Sequence, residues 1–265
     1  MGAIAGISPA IRRSVTRWWY QYLARLDRDD DMLFMNYGYV DLDPSARPLE
    51  LSARDERYRY CVQLYNHVAG AVDLRGLHVL EIGCGRGGGA SYITRALKPR
   101  SMLGVDMASN AIAFCNRYHA VDGLSFAQGD AEALRLDDET FDAVVNVESS
   151  HCYGSMERFL GEVFRVLRPN GYFLYADFRP KNQIDVLQTQ ISKAGFEVLK
   201  RENIAPNVVK ALELDSERKL ELIRRKAPKL IHKQMELFAG IKGTPIFESF
   251  ASGEREYLRF VLRKS

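Results

Sequence analysis

The stretch of this 265-residue chain that decides its fold runs Val79-Leu80-Glu81-Ile82-Gly83-Cys84-Gly85-Arg86-Gly87-Gly88-Gly89. Its apolar start is typical of the end of a buried parallel strand, and the glycines that follow predict a tight turn. Residues 90–97 then predict a helix. A strand, a glycine turn and a helix in this order allow backbone N–H groups and a helix N-terminus to approach a ligand closely.

An acid in this stretch indicates which ligand the turn accepts. Gly83, Gly85 and Gly88 fit the G-x-G-x-x-G pattern of dinucleotide-binding turns. Glu81, however, stands two residues before the first glycine, where a carboxylate repels a pyrophosphate and attracts the ammonium and sulfonium groups of S-adenosylmethionine. We therefore expect S-adenosylmethionine at this turn, with an NAD-dependent dehydrogenase as the alternative.

Two further acids follow predicted strands. Residues 102–106 are a short apolar segment that ends in Asp106, 25 residues after Glu81. A carboxylate at the tip of a second strand can accept hydrogen bonds from both ribose hydroxyls. Asp130 follows the predicted strand 124–127 and is placed to accept a hydrogen bond from the adenine amino group. Apolar residues at 141–147 and after the turn at 167–171 predict a fourth and a fifth strand.

In this order, the features resemble the class I S-adenosylmethionine-dependent methyltransferases over roughly residues 77–180. The resemblance implies an α/β fold with a seven-stranded, doubly wound (Rossmann-like) sheet whose last strand runs antiparallel to the others. It implies that Glu81 and Asn146 hold the methionyl end of the donor, partly through the backbone. The other residues that it assigns to S-adenosyl-L-methionine, and to the product S-adenosyl-L-homocysteine, are Gly83, Cys84, Gly85, Asp106, Met107, Asp130 and Ala131.

Composition is ordinary for a globular enzyme, with 46% hydrophobic residues, 27% charged residues and a formal net charge of +3. No apolar run approaches the about 20 residues that cross a bilayer, and no signal peptide is evident. We therefore expect a cytoplasmic protein without a transmembrane segment. The four cysteines lack metal-ligand spacing, so that free thiols and no metal site are predicted.

The densest basic cluster does not favour a nucleic-acid partner. It is interrupted by Glu221 and Glu236 and consists of Arg224, Arg225, Lys226, Lys229 and Lys233. We interpret it as the solvated side of a helix, with weak contact to an acidic lipid surface, or contact with an acidic substrate, as the alternatives. A methyltransferase that grips a flipped base also usually carries prolines after the fourth strand, and the segment 146–149 has none.

The chain divides into four predicted parts. Residues 1–54 hold an aromatic helix at 17–26 and a loop that closes over the site. Residues 55–204 form the α/β core, beginning with an amphipathic helix at 55–72, and Ser109 and Ser155 are predicted to cap later helices. Residues 205–253 have a helical pattern and are too long for a plain connection, which predicts a helical cap over the substrate, partnered by the N-terminal aromatic segment. A packing insert without ligand contact is the alternative. Residues 254–265 return as the final strand.

The segment after the fourth strand is the predicted catalytic loop, because ligands bind beyond the carboxyl ends of parallel strands. It reads Asn146-Val147-Glu148-Ser149-Ser150-His151-Cys152-Tyr153. His151 is the candidate general base, since imidazole titrates near neutral pH, and Glu148 could orient it or bind the acceptor. A structural role is the alternative for both. We reject a Cys152 nucleophile, because methyl transfer needs no covalent enzyme intermediate.

A segment far upstream, Met35-Asn36-Tyr37-Gly38-Tyr39, resembles the N-terminal closing loop of methyltransferases that act on sterols and tocopherols. Tyr37 is expected beside the sulfonium, where an aromatic ring favours positive charge; a core aromatic is the alternative. With residues 85–92, 146–153 and 172–180, this segment resembles the mycobacterial lipid methyltransferases from about residue 17 onward. Substrate contacts are assigned to Tyr20, Tyr37 and Tyr153.

The resemblance implies transfer of a methyl group to a hydroxyl of a hydrophobic, lipid-like small molecule. Fatty-acid carboxylates and sugar hydroxyls on glycolipids are alternatives, and C-methylation or a non-enzymatic binding protein are more distant ones. A carboxylate is already ionised at neutral pH, whereas an alcohol must lose a proton. A histidine in the catalytic loop therefore favours an alcohol, although a histidine can also donate to a carboxylate.

Overall fold

The computed structural model describes residues 32–265. The predicted helix at 17–26, with Tyr20, lies outside the described residues. Within 32–265, none of the helices is both long and apolar enough to cross a membrane. All four cysteines lie in the described part and are free thiols, as predicted.

A seven-stranded sheet forms the centre of the molecule, in the order β3-β2-β1-β4-β5-β7-β6. The strands are β1 (His78–Ile82), β2 (Ser101–Asp106), β3 (Leu124–Gln128), β4 (Phe141–Val147), β5 (Leu167–Pro180), β6 (Phe196–Asn203) and β7 (Arg255–Lys264). Strands β1 to β5 pair in parallel, and β7 runs antiparallel to both β5 and β6. The predicted seven-stranded sheet with an antiparallel last strand is confirmed.

Helices cover both faces of this sheet. They are α1 (Ala53–Glu56), α2 (Arg59–Ala69), α3 (Gly88–Leu97), α4 (Ser109–Tyr118), α5 (Met156–Val166), α6 (Ile184–Lys193), α7 (Ala205–Lys226), α8 (His232–Ala239) and α9 (Pro245–Ala251). Three of them, α7 to α9, lie in the segment 205–253, so its predicted helical character is confirmed. The predicted helix at 55–72 is instead divided, because Tyr58 leaves the helical region at φ −117° and ψ 22° and α2 ends before Gly70.

Successive residues of the central strands feed two separate hydrophobic clusters. Val79 and Val145 belong to the cluster under α2, α3 and the cap, whereas Leu80 and Val144 belong to the cluster under α5 and α6. Neighbouring side chains of a strand point to opposite faces, so a strand buried on both faces reads as a continuous apolar run. This explains why β1 and β4 show no polar alternation.

Helix starts follow the capping rules at one predicted position and not at the other. The Ser155 side chain accepts a hydrogen bond from the N–H of Arg158 at 3.2 Å, which confirms it as the N-cap of α5. The prediction for Ser109 is wrong, because Ala108 holds the N-cap position without a side-chain cap. The N–H of Ala108 donates instead to the Asp106 carboxylate at 2.8 Å, which ties the start of α4 to the end of β2.

Chain order locates the site within this sheet. The chain builds outward from β1 through β2 to β3 and then continues at β4, on the other edge of β1. Such a reversal leaves a crevice at the carboxyl ends of the two strands, where ligands bind in open α/β sheets. The glycine turn after β1 and the loop after β4 meet at this crevice.

Candidate functional site

A cavity of about 150 Å³ occupies the crevice between β1 and β4. Its walls come from the turns after four strands and from the loop at 32–36. The predicted site residues that line it are Gly83, Cys84, Gly85, Asp106, Met107, Ala131, Glu148 and Tyr153. Most of the residues that we assigned to the cofactor therefore come together in one place.

The glycine turn brings backbone to the cavity wall. Gly83 and Gly85 adopt φ values of 77° and 53°, which favour glycine. A Cβ atom on Gly83 would lie 2.4 Å from the hydroxyl of Ser149 in the loop after β4. Only a residue without a side chain therefore lets the two loops approach each other closely and leaves the crevice open to a ligand.

Asp106 lies at the tip of β2 and fixes the turn. Its carboxylate accepts hydrogen bonds from the N–H groups of Gly85 at 2.9 Å and Ala108 at 2.8 Å. Burial raises the pKa of Asp106, and the two N–H donors oppose this shift. The carboxylate lines the cavity and keeps further lone pairs for a ligand, since an ionised carboxyl has about four acceptor sites. This arrangement fits a ribose with two neighbouring hydroxyls.

Glu81 does not line the cavity, so the donor contact that we expected, partly through the backbone, stays a prediction. The side chain is fully buried and accepts a hydrogen bond from the Tyr65 hydroxyl at 2.6 Å. It shares the Val79 face of β1, because residues two apart in a strand face the same way, and this face lies under α2 and α3. Burial raises the pKa of Glu81 to about 7. Its influence on a ligand passes through Tyr65, which does line the cavity.

Two other predicted cofactor residues do not line the cavity. Asn146 is fully buried and donates to the carbonyl of Ile82 at 2.8 Å and to the Ser149 hydroxyl at 2.7 Å. Its role in this structure is to join β1 to the loop after β4. The Asp130 carboxylate accepts from the N–H of Glu132 at 3.0 Å, and it is the neighbouring Ala131 that lines the cavity.

A second, smaller cavity of about 80 Å³ lies under the cap. It shares Met32, Met35 and Asn36 with the first cavity, so that the two adjoin across the loop at 32–36. Three of its other lining residues are basic side chains on α7, namely Arg218, Lys219 and Lys226. The rest are mostly apolar: Phe34, Tyr37, Tyr58, Cys61, Leu222, Ile223, Met235, Phe238 and Ala239. Of these lining residues, only Tyr37 was among the predicted site residues.

Tyr37 lines this second cavity and not the first, so its expected place beside the sulfonium stays a prediction. Its ring stacks on Phe178 at 5.6 Å between centroids, and its hydroxyl donates to the carbonyl of Phe238 at 3.3 Å. The Lys219 ammonium lies 5.8 Å from the ring centroid. Tyr37 therefore joins the loop, β5 and the cap at the wall of the apolar cavity.

Lys219 is an almost buried basic residue, 9% exposed. The nearby Asp215 carboxylate, 3.8 Å away, is engaged by two hydrogen bonds of 2.6 Å from Arg218. One carboxylate thus faces two cations, and the wall of the second cavity keeps a positive charge. Sequence reasoning missed both Arg218 and Lys219, because only folding of α7 onto the loop at 32–37 gives them a role.

Glu148 connects the loop after β4 to the loop at 32–37 and to β7. One of its oxygens accepts from the N–H of Tyr37 at 2.7 Å and from the hydroxyl of Tyr257 at 2.8 Å. The residue has φ 47°, a left-handed conformation that a non-glycine residue adopts only at a cost. Burial raises the pKa of Glu148 to about 7. This geometry gives Glu148 the task of holding the closing loop against β7.

We predict that Glu148→Gln removes part of the pH dependence of stability. A carboxyl whose pKa is about 7 in the folded state instead of 4.5 holds its proton more tightly when folded. Its stabilising contribution is complete below pH 4.5 and is lost as the pH rises through 7, by about 3 kcal/mol. Urea unfolding of the unliganded protein across this range should show a smaller loss of stability for Glu148→Gln than for wild type. The exposed control Glu221→Gln should follow wild type, and coincident curves for all three proteins would contradict the prediction.

His151 belongs to a buried polar network that the sequence only half revealed. Its Nδ1 atom lies 2.8 Å from the Asp177 carboxylate, which also accepts from the Ser150 hydroxyl at 2.6 Å. The Arg179 guanidinium lies 3.2 Å from the same carboxylate. Asp177 and Arg179 lie at the end of β5, so the strand-tip rule that found Asp106 could have found Asp177.

The charges of this network decide the state of the imidazole. Burial by itself lowers the pKa of His151, but Cys152 and Asp177 outweigh it and hold the pKa well above the usual value. The pKa of Asp177 is lowered despite burial, because His151 and Arg179 both stabilise its charge. The side chain of His151 is 16% exposed, packs against Phe178 at 4.4 Å between centroids, and precedes Cys152, which lines the first cavity. His151 itself lines neither cavity, and it is connected to the wall of the second through Phe178, which stacks on Tyr37.

Comparisons with known proteins agree with this architecture. A family described as "Methyltransferase domain" matches residues 80–175. The chain is 40% identical over 262 residues, 99% of this chain and 96% of the relative, to the phthiotriol/phenolphthiotriol dimycocerosates methyltransferase of Mycobacterium tuberculosis. It is 40% identical over 245 residues, 92% and 88% of the two chains, to the fatty-acid O-methyltransferase of Mycolicibacterium smegmatis. Its fold is similar to that of a cyclopropane synthase from Mycobacterium tuberculosis, with a TM-score of 0.68 at 16% identity over 92% and 97% of the two chains.

Proposed function

Because the chain belongs to the class I S-adenosylmethionine-dependent methyltransferases, we propose that it methylates an oxygen of a hydrophobic, lipid-like acceptor in the cytoplasm. Relatives at 40% identity are named for a dimycocerosate lipid and for fatty acids. Both names describe long apolar molecules with a reactive oxygen. These similarities support a lipid acceptor over a nucleic acid.

The observation that carries the proposal is the pair of adjoining cavities. The first has a polar wall at the strand tips, and the second is mostly apolar and lies under the cap. They share Met32, Met35 and Asn36, so the two cavities lie on either side of one loop. Methyl transfer requires donor and acceptor in near-attack geometry, and neighbouring sites for the two ligands are the arrangement from which this geometry can be reached.

We assign the first cavity to the donor. Asp106 would hold the ribose hydroxyls, Ala131 would contact the adenine, and the backbone of Gly83 to Gly85 would hold the methionyl end. S-adenosylmethionine bound there would supply the methyl group, with S-adenosylhomocysteine as the product. Tyr65, oriented by Glu81, and Tyr153, oriented by Ser149 at 2.9 Å, complete the wall on the side of the catalytic loop.

We assign to His151 the removal of the proton from the acceptor's hydroxyl group. For an alcohol acceptor, the Nε2 atom of His151 takes the hydroxyl proton while the oxygen attacks the methyl group. The Asp177 carboxylate accepts from Nδ1 at 2.8 Å, which orients the ring and stabilises the positive charge that the ring gains. Glu148 acts as a positioning residue, because it holds the loop that carries Tyr37 over the second cavity.

A fatty-acid carboxylate is the second candidate acceptor, and two observations favour it. The raised pKa of His151 makes its imidazole a cation, which can donate to a carboxylate. Lys219 adds an almost buried positive charge to the wall of the second cavity. A carboxylate needs no base, so His151 and Lys219 would then bind and orient the acceptor.

Labelled donor tests both candidates in one experiment. We expect purified protein to transfer the methyl label from S-adenosylmethionine to members of a panel of long-chain alcohols, fatty acids and glycolipids. Mild alkali releases label from an ester but not from an ether, which separates carboxyl from hydroxyl methylation. Asp106→Ala protein is the control and should leave the panel unlabelled. Absence of label in all three classes, with donor binding intact, would contradict O-methylation of lipids.

A further inference from the structure

The cap ends in an exposed tip, defined as residues 221–236, where α7 reverses into α8. Ile223, Ala227 and Met235 form a small buried cluster there, separate from the two main clusters. Ile223 and Met235 also line the second cavity. The tip is therefore the outer wall of the cavity that we assign to the acceptor.

Leu230 protrudes at the reversal of the tip. It is 90% exposed, whereas the next most exposed large hydrophobic residue among 32–265 is Val186 at 55%. A single apolar residue on a surface is ordinary by itself. Leu230, however, directly follows the exposed Lys229 and lies three residues before the exposed Lys233, which sets an apolar side chain among positive charges.

The tip also carries the charge imbalance of the whole chain. It contains five basic residues, Arg224, Arg225, Lys226, Lys229 and Lys233, and two acidic ones, Glu221 and Glu236. The difference of +3 equals the formal net charge of all 265 residues, so the remainder of the chain is balanced. Within the described part of the chain, Arg224, Lys229 and Lys233 form no ion pair, and all three are exposed.

We propose that this tip docks on an anionic lipid surface, with Leu230 inserted among the lipids and the basic side chains against the headgroups. Charge complementarity identifies the partner, since anionic leaflets attract basic segments within about a Debye length. A protruding leucine fits a surface that yields to insertion better than it fits a rigid protein face. Docking there turns the wall of the second cavity towards the membrane that holds the acceptor, a consequence that rests on the proposed function.

Vesicle sedimentation tests the docking without donor or acceptor, so its outcome is independent of methyl transfer. The full chain should bind vesicles that contain anionic phosphatidylglycerol and should not bind pure phosphatidylcholine vesicles. Each basic residue strengthens such binding roughly fivefold, so Lys229→Glu with Lys233→Glu should weaken it more than tenfold. Leu230→Asp should weaken it by at least about fivefold. Binding should fall between 0.1 and 1 M salt, where the Debye length shrinks from about 10 to about 3 Å.

Substitutions on α6 and next to it serve as matched controls for the variants of the tip. Lys181→Glu with Lys193→Glu makes the same charge change at exposed sites outside the tip, and Val186→Asp matches Leu230→Asp. Both controls should bind vesicles much more tightly than their tip counterparts. Equal loss in tip and control variants, equal binding to neutral and anionic vesicles, or no binding to either would overturn the proposal. All variants should keep their affinity for S-adenosylhomocysteine, which shows that they are folded.

Discussion

Asp106→Ala should weaken binding of S-adenosylhomocysteine by at least about 100-fold. The carboxylate lines the first cavity and fixes the turn after β1 through the N–H groups of Gly85 and Ala108. A hydrogen bond to a charged group contributes about 1.5–3 kcal/mol, and each 1.4 kcal/mol is a factor of ten. Loss of two ribose contacts alone therefore gives this effect, and a loosened turn adds to it. Isothermal titration calorimetry measures it directly.

Two variants separate the loss of ribose recognition from a non-specific effect of removing a carboxylate. Asp106→Asn keeps one acceptor oxygen for the turn and should bind with intermediate affinity. Asp122→Ala removes an exposed carboxylate from the loop before β3 and should bind like wild type. If Asp106→Ala bound the nucleoside as tightly as wild type, the first cavity would not be the donor site.

The parts of this site that lie close together in sequence were predictable. Gly83, Gly85 and Asp106 serve one turn, and local rules for glycine and for strand tips found them. The burial of Glu81 against Tyr65 was not predicted, because the attraction between a carboxylate and a sulfonium says nothing about which side of β1 the side chain faces. Its two-residue spacing from Val79 was the available signal, since both side chains lie under α2 and α3.

Contacts between distant segments could not be predicted. Tyr37 meets Phe178 and Phe238, more than a hundred residues away, and the second cavity exists only because these segments meet. Glu148 accepts hydrogen bonds from Tyr37 and Tyr257, which come from opposite ends of the described chain. Residue types and spacing identify candidates for such contacts, but the packing of the cap on the sheet decides which ones form.

His151→Ala should lower kcat for an alcohol acceptor by about 10²–10⁴-fold, with little change in affinity for S-adenosylhomocysteine. Without the imidazole, no group held by Asp177 can take the hydroxyl proton. For a carboxylate acceptor the same change removes only an orienting donor, so the loss should be smaller, about tenfold. Single-turnover rates with each acceptor that takes up label, together with calorimetry, measure both quantities. An unchanged rate with every acceptor would remove His151 from the mechanism.

The pH dependence of the rate separates the two chemistries further. A base must be neutral, and the pKa of His151 is held well above its usual value, so the rate with an alcohol should rise with pH through that raised pKa. With a carboxylate the imidazolium is the useful form, so the rate should fall over the same range. Asp177→Asn removes a charge that raises the pKa of His151, which should move either inflection to lower pH. Asp142→Asn, which alters a carboxylate paired with Arg168 at 2.8 Å outside the network, should leave the inflection in place. An inflection that Asp177→Asn does not shift would mean that another group titrates.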